Sequence, residues 1–276
     1  MLATQRRSRI VALVDEHGAV KVSDLVDEFG VSDMTVRRDI ESLAEQGLVE
    51  RVHGGALAVG GRSSEEPGFS AKSALMTAQK VAIAEAAATL VEAGSAIGVS
   101  AGTTTYELAR AVRGIPNLTV VTNSVPVAQL LHEAGAPGQT VVLTGGIRTP
   151  SDALVGPVAV TALRSLHVDW VFLGAHGLDL HAGLTTPNLV EAETNRALVA
   201  CARHVAVLVD HTKWGVVGLS TFLEIDRVDT LVTDDAMPAR AQTALRDHVG
   251  ELIIATSRRA PAPTKSPRTA VRDVGA

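Results

Sequence analysis

Five loops in this sequence carry the residue types that hold a small anionic ligand. The first is Ser100-Ala101-Gly102-Thr103-Thr104-Thr105, between the apolar run Ala96–Val99 and a helical pattern beginning near Tyr106. A helix N-terminus presents unpaired backbone N–H groups and partial positive charge. Gly102 lets a ligand approach the chain closely, and the three threonine hydroxyls add donors. That combination suits an oxyanion. No Gly-Lys-Ser/Thr follows, so the run is not a Walker-type phosphate loop. By itself the segment reads equally as a threonine-capped helix start. The other loops are Thr122-Asn123-Ser124, Thr144-Gly145-Gly146, Gly174-Ala175-His176-Gly177 and Asp210-His211-Thr212-Lys213. Lys213 and Arg148 are candidates to supply charge to a phosphate, and Asn123 and Asp210 to bind sugar hydroxyls. Each loop taken singly is ordinary turn punctuation; together they make a joint site.

A different chemistry appears in the run Ser32 to Gln46. Val36, Ile40 and Leu43 fall at i, i+4, i+7 and predict an inward helical stripe. The opposite face of the first two turns then shows Met34, Thr35, Arg37 and Arg38, with Ser32 as the capping residue. Guanidinium groups suit phosphate or guanine, and threonine offers a hydroxyl and a methyl. Asp33 fits the helix dipole of the first turn, and Asp39 fits an arginine partner better than a base reader. The Gly54-Gly55 turn lets a hairpin approach a nucleic-acid backbone, where Arg51 and His53 are placed to touch phosphate.

These residues need elements to position them. Ile10, Leu13 and Val14 predict a helix over Gln5–His17 that Gly18 ends. Val22, Leu25, Val26 and Phe29 predict a second helix capped by Ser23 and broken by Gly30. Gly47 is placed to end the third, and LVERVHGGALAV reads as a short hairpin. Three helices and a hairpin over residues 1–57 make an α-rich winged helix-turn-helix. Residues 58–75 lack periodicity and read as a linker. From residue 76 to 256, strand patterns alternate with helical ones. The strands are Ala96–Val99, Leu118–Thr122, Thr140–Leu143, Trp170–Leu173, Val205–Val209, Thr230–Val232 and Leu252–Ala255. The helices include Met76–Glu92, Val125–Glu133, Val158–Leu166 and Val190–Ala202. Short apolar strands between amphipathic helices predict an α/β domain with a mostly parallel sheet covered on both faces. In such a sheet the five loops share one end and converge on one crevice. The Pro-rich basic run 257–276 reads as a disordered tail.

Composition narrows the function. The chain has 276 residues, 46% hydrophobic and 20% charged, which suits two folded domains and excludes a disordered or fibrous protein. Net charge is −3 over residues 1–57, −6 over 58–256 and +4 over 257–276. No folded part is basic overall, which argues against a DNA-coating protein but leaves a local reading face. Aromatics at 3% are too few for base-stacking platforms. The single cysteine, Cys201, excludes a disulfide framework and reads as core. His167, His176, His181 and His211 lack metal-ligand spacing, so no metal and no cofactor is expected. The opening residues lack a signal-peptide apolar run, and no stretch of roughly 18 apolar residues occurs. A soluble, cytoplasmic protein without a membrane partner is expected.

The run Gln5 to Ala56 closely resembles the DNA-binding domain of DeoR-family transcriptional regulators. QRRSRIVALV, VSDLVDEFGVSDMTVRRDIESLAEQGLVERVHGGA and above all TVRRD before the Gly-Gly wing carry that resemblance. Residues 75 to 255 resemble the family's effector domain, which is similar to ribose-5-phosphate isomerase and the CoA-transferase group. SAGTTT, VVTNS, LTGG, LGAHGLD, the Glu191–Arg196 helix start and VDHTKWG match. The resemblance implies double-stranded operator DNA as partner, a phosphorylated sugar as effector, a homo-oligomer of at least two chains, and repression of carbohydrate genes. One departure stands out: many members have Asp where this chain has Ser100, so a carboxylate suited to a sugar hydroxyl is gone.

The rival reading is an isomerase-like enzyme with an N-terminal accessory domain. Proton transfer between sugar carbons needs a positioned base. Here only His176 and Asp179 lie in the matching loop, and a lone loop histidine more often makes a hydrogen bond than acts as a base. Glu191 and Glu193 begin a helix, where acids stabilise the dipole. No catalytic residue is therefore expected.

Overall fold

The computed structural model describes residues 3–17, 19–45, 48–52, 55–58 and 76–256. The expected linker beyond Ala58, the tail 257–276, and the positions of Gly18, Gln46, Gly47, His53 and Gly54 lie outside the described residues.

The N-terminal unit contains helices α1 (Ala3–His17), α2 (Val22–Phe29) and α3 (Asp33–Glu45) and strands β1 (Ala19–Lys21), β2 (Val49–Val52) and β3 (Gly55–Ala58). Its core is the set of stripes expected from periodicity. Ile10, Leu13, Val14, Val22, Leu25, Val36, Ile40 and Leu43 are buried, closed by Val49 and Ala56 from the sheet. Fully burying one such aliphatic side chain contributes about 1.5–3 kcal/mol, so these few residues hold the helices together. Between α2 and α3 the chain turns at Gly30, φ +61°, and Ser32 starts α3. The Thr35 amide donates to Ser32 Oγ at 3.3 Å, the bond that makes serine a helix cap.

Two features depart from the pattern reading. The wing is a three-stranded antiparallel sheet, because β1 pairs with β3 as well as β2 does. And α2 begins at Val22, directly after β1, so Ser23 lies inside the first turn and is not the cap. The residue before the helix, in the cap position, is Lys21, which is paired with Gly55.

Residues 76–256 begin with α4 (Thr77–Ala88), β4 (Ala96–Val99), α5 (Thr103–Val112), β5 (Thr119–Thr122), α6 (Val125–Ala134) and β6 (Thr140–Leu143). A two-stranded ribbon, β7 (Ile147–Arg148) and β8 (Leu154–Val155), precedes α7 (Pro157–Leu163) and β9 (Val168–Leu173). Then come β10 (Gly177–Asp179), β11 (Gly183–Thr186), α8 (Leu189–Ala200), β12 (Ala202–Leu208), β13 (Ser220–Leu223), β14 (Thr230–Asp234), α9 (Ala239–Arg246) and β15 (Glu251–Ala255). Seven strands form one parallel sheet in the order β15-β14-β12-β9-β4-β5-β6. Each overlaps one of the runs expected as strands, with ends differing by a few residues. Apolar residues of α4, α5 and α6 pack on one face, with Ile83, Leu108, Val127 and Phe172 buried there. On the other face Leu163, Leu198 and Leu245 join Leu178, Leu184 and Phe222 from a small antiparallel sheet β10-β11-β13. That sheet was not legible in the periodicity, since its strands are short and β13 joins β11 from more than 30 residues away.

The strand order positions the five polar loops. The chain leaves β4 toward β5 and β6, then returns to lay β9 on the opposite side of β4. The connections after β4 and β9 therefore depart to opposite faces, which makes their carboxyl ends a topological switch point.

Candidate functional site

On α3, burial of Val36, Ile40 and Leu43 turns Ser32, Met34, Arg37 and Arg38 out to solvent, with Thr35 half-buried among them. Met34 is 63% exposed, a large apolar side chain on a surface otherwise built of polar groups. Arg37 is not idle: its Nε and Nη2 donate to Asp33 at 2.5 and 3.2 Å. The hydrogen bond and charge of Asp33 hold the Arg37 guanidinium above its ordinary pKa. Arg38 takes part in none of the ion pairs of the described residues. Arg51 lies in β2, on the wing; His53 falls outside the described residues.

Asp39, next along the same helix, faces inward and is 3% exposed. It accepts Arg6 Nε at 2.5 Å and Arg7 Nε at 2.9 Å, both from α1. An arginine partner was expected, but the partners come from another helix, more than 30 residues away. This buried clamp fixes the angle at which α3 presents its outer face. No local pattern marks Arg6 and Arg7 as its members.

At the carboxyl end of the parallel sheet, β12, β9, β4, β5 and β6 are consecutive neighbours. Asp210, Gly174, Ser100, Asn123 and Thr144 therefore stand side by side, and the five loops meet at one sheet end. Around the switch point they are stitched together. Ser100, 1% exposed, accepts the Gly174 amide on its Oγ at 3.2 Å, bridging the loops after β4 and β9. Asn123 is fully buried; its Oδ1 accepts the Ala101 amide at 2.9 Å and its Nδ2 donates to the Leu154 carbonyl at 3.2 Å. Asn123 thus ties the first threonine loop to the β7-β8 ribbon. Asp210 is also buried and accepts the Thr212 amide and hydroxyl through Oδ1.

α5 starts at Thr103, with Gly102 before it at φ +155° and ψ +159°, a region essentially reserved for glycine. A Cβ there would lie 3.1 Å from Thr105 Oγ1. The three threonines diverge in use. Thr105 is fully buried and its hydroxyl donates back to the Gly102 carbonyl at 3.0 Å. Thr104 is 8% exposed and Thr103 half-buried, and no side chain caps the helix. The start of α5 is therefore a helix N-terminus with no side-chain cap, the kind of end at which backbone N–H groups can meet an anion.

Gly146 sits at φ +128°, where a Cβ would meet the Val155 carbonyl at 2.6 Å, so the ribbon folds back only with glycine there. Gly145 precedes it at φ +72°. Arg148, exposed on that ribbon, has its charge engaged by Asp152 at 2.6 Å. Lys213 is half-buried in the turn after β12. His176 is half-buried, with its amide donating to Thr185 at 3.1 Å.

The candidate acid of the enzyme reading is committed elsewhere. Asp179 Oδ1 accepts the Ala182 and His181 amides at 2.9 and 2.8 Å, and those bonds hold its pKa below the ordinary carboxylate range. A carboxylate so stabilised is a weak base. Cys201 is buried, and burial pushes its thiol pKa up, as a core residue should show. Among the described residues no cluster of His, Cys, Asp and Glu is arranged to hold a metal, and no helix is long and apolar enough to cross a membrane. Sequence reasoning missed the bond between His211 and Asp234, on neighbouring strand ends, at 2.8 Å.

A sequence profile for a DeoR-like helix-turn-helix domain matches residues 6–60, and one for the DeoR C terminal sensor domain matches residues 76–235. The chain is 37% identical to the HTH-type transcriptional regulator GlpR of Haloferax volcanii, covering 87% of this chain and 92% of that protein. It is 34% identical to the glycerol-3-phosphate regulon repressor of Escherichia coli K12, covering 90% of this chain and 97% of that one. It is 36% identical to the uncharacterized HTH-type transcriptional regulator YgbI of the same strain, covering 92% and 99%. Among solved structures it is similar to ribose 5 phosphate isomerase A from Neisseria gonorrhoeae, with 16% identity, 49% of this chain and 52% of that chain covered, and a TM-score of 0.36.

Proposed function

Because the chain belongs to the DeoR family of helix-turn-helix transcriptional regulators, which are not enzymes, we propose that it represses carbohydrate genes under control of a phosphorylated sugar. In this reading residues 1–57 bind operator DNA and residues 76–256 bind effector and oligomerise, with 58–75 as linker and 257–276 as a basic tail. α3 lies in the major groove. Arg37, Arg38, Thr35 and Met34 face base edges or phosphate, Ser32 sits at the helix start, and Arg51 and His53 reach phosphate from the wing. What supports it is the sheet topology: the loop that opens a helix as Gly102-Thr103-Thr104 leaves β4 at the switch point, where an α/β sheet binds ligands. Gly102, Thr103 and Thr104 would hold the phosphate, with Lys213 and Arg148 adding charge. Ser100, Asn123, Gly145, Gly146, His176 and Asp210 would shape the remainder of the pocket. A relative named for the glycerol-3-phosphate regulon supports a phosphorylated effector.

Arg38→Ala is expected to weaken operator binding by about 1–3 kcal/mol if the side chain reads a base. Arg37→Ala should act similarly, and Asp33→Ala, which frees the Arg37 guanidinium, should alter rather than abolish binding. Gel-shift titration at fixed salt, with circular dichroism to check folding, measures all three. Unchanged affinity in both folded arginine variants would remove α3 from the interface.

A single recognition helix covers too few base pairs for specificity, so at least a dimer on half-sites about one helical turn apart, or a multiple, is expected. The N-terminal unit spends its apolar stripes internally, whereas Ile147, Val158, Leu189 and Val190 are exposed on the C-terminal part. Analytical ultracentrifugation at micromolar concentration, with and without operator, decides the matter; a monomer in both would contradict it.

A further inference from the structure

The turn after β12 carries Lys213, and its geometry is set by a carboxylate on the next strand. Asp234, at the end of β14, is fully buried and accepts the His211 amide at 2.8 Å, His211 Nδ1 at 2.8 Å and the Ala236 amide at 3.1 Å. One residue, His211, thus gives this carboxylate both its main-chain and its side-chain N–H. Within the turn the Lys213 amide donates to the Asp210 carbonyl at 3.0 Å, and Thr212 to the Asp210 side chain. The imidazole is 19% exposed, so part of it reaches solvent.

The charged groups that act on the ring are Asp234, which bonds it, Asp210 on its own turn, and Asp235 after β14. Lys213 shares the turn. Bonding to Asp234 holds His211 above its ordinary value of about 6.5, against the opposing effect of burial. Burial alone would raise Asp234, but the His211 ring and amide prevail and hold it below the usual carboxylate range. Below the raised value of His211 and above the lowered value of Asp234, both members of the pair carry charge. As pH rises through the raised value, the ring keeps its Nδ1–H on Asp234 and loses only its positive charge.

We propose that His211 is a positioning residue of the crevice: anchored on Asp234, it fixes the turn that carries Lys213 and brings a second, proton-dependent positive charge to a bound anion. This rests on the reading of the crevice as an anion site. Anion affinity should then fall as His211 deprotonates, and by reciprocity a bound anion should raise the pH at which His211 titrates.

Sulfate tests this in the full-length protein, since it stays a dianion throughout the range. Its affinity should fall about fivefold between about pH 6 and about pH 9. Carbon-13 NMR of labelled histidines should show the His211 midpoint moving up at saturating sulfate. His211→Asn keeps a donor where Nδ1 stands and removes the titration. Its sulfate affinity should be flat with pH, at the level the wild type reaches at high pH. His211→Leu loses the anchor too and should bind more weakly at every pH. If Thr103 and Lys213 amide shifts show sulfate in the crevice while wild-type affinity and the His211 midpoint do not move, the inference is overturned and the anion site stands. If sulfate moves no amide in those loops, the anion site itself is wrong and the inference falls with it.

Discussion

Asp39→Ala is expected to destabilise the N-terminal domain by about 3–5 kcal/mol and to remove operator binding at concentrations that saturate the wild type. The carboxylate is 3% exposed and receives Arg6 and Arg7 from α1. Arg6 is itself 7% exposed, so the substitution leaves a buried guanidinium without its partner. Breaking a buried pair from one side costs far more than the pair contributes relative to an apolar core, because the stranded charge cannot reach water. A domain of this size has few kilocalories to lose. Asp39→Asn should cost less, since an amide oxygen still accepts one arginine. Thermal melting followed by circular dichroism measures the loss. Sulfate binding in the C-terminal domain serves as control and should not change. A wild-type melting curve with wild-type operator affinity would show that the clamp does not position α3.

Thr103→Val is expected to weaken effector binding about tenfold or more. Losing a hydrogen bond to a charged group costs roughly 1.5–3 kcal/mol, and valine keeps the shape of threonine while removing the hydroxyl. Thr103 is the most accessible of the three threonines at the start of α5, and no side chain caps that helix. Thr104→Val should show a similar loss, tempered by its burial. Thr105→Val is the contrasting case: its hydroxyl serves the Gly102 carbonyl, so it should lower stability and leave the affinity of the folded fraction nearly unchanged. Operator affinity without effector should hold in all three variants. Calorimetric titration with candidate phosphorylated sugars, beside a melting curve for each variant, separates the outcomes. A stability loss in Thr103→Val with an unmoved dissociation constant would make Thr103 a helix-start residue only.

The sequence by itself determined whatever depends on near neighbours along the chain. The helical-period stripes that contain Ile10, Leu25 and Ile40 placed three helices and their buried faces, and through them the outward face of Arg37 and Arg38. Seven apolar runs placed the strands of the parallel sheet, because the central strands are covered on both faces and so are apolar over most of their length. The polar loops at one end of those strands followed from the connectivity. Tertiary structure decided which polar groups remain for a ligand. Asp39 is satisfied from α1, Asn123 from the β4 and β8 loops, Ser100 by Gly174 across the switch point, and Asp234 by His211 from the next strand. None of these pairings has a local signature. A buried polar atom must find a partner wherever the topology brings one, and the topology joins residues far apart in the chain. The same cause separates Thr103, Thr104 and Thr105, identical in type, by the direction each faces at the start of α5. It also converts the expected hairpin into a three-stranded wing, since β1 pairs with β3 across a stretch of chain that includes α2 and α3.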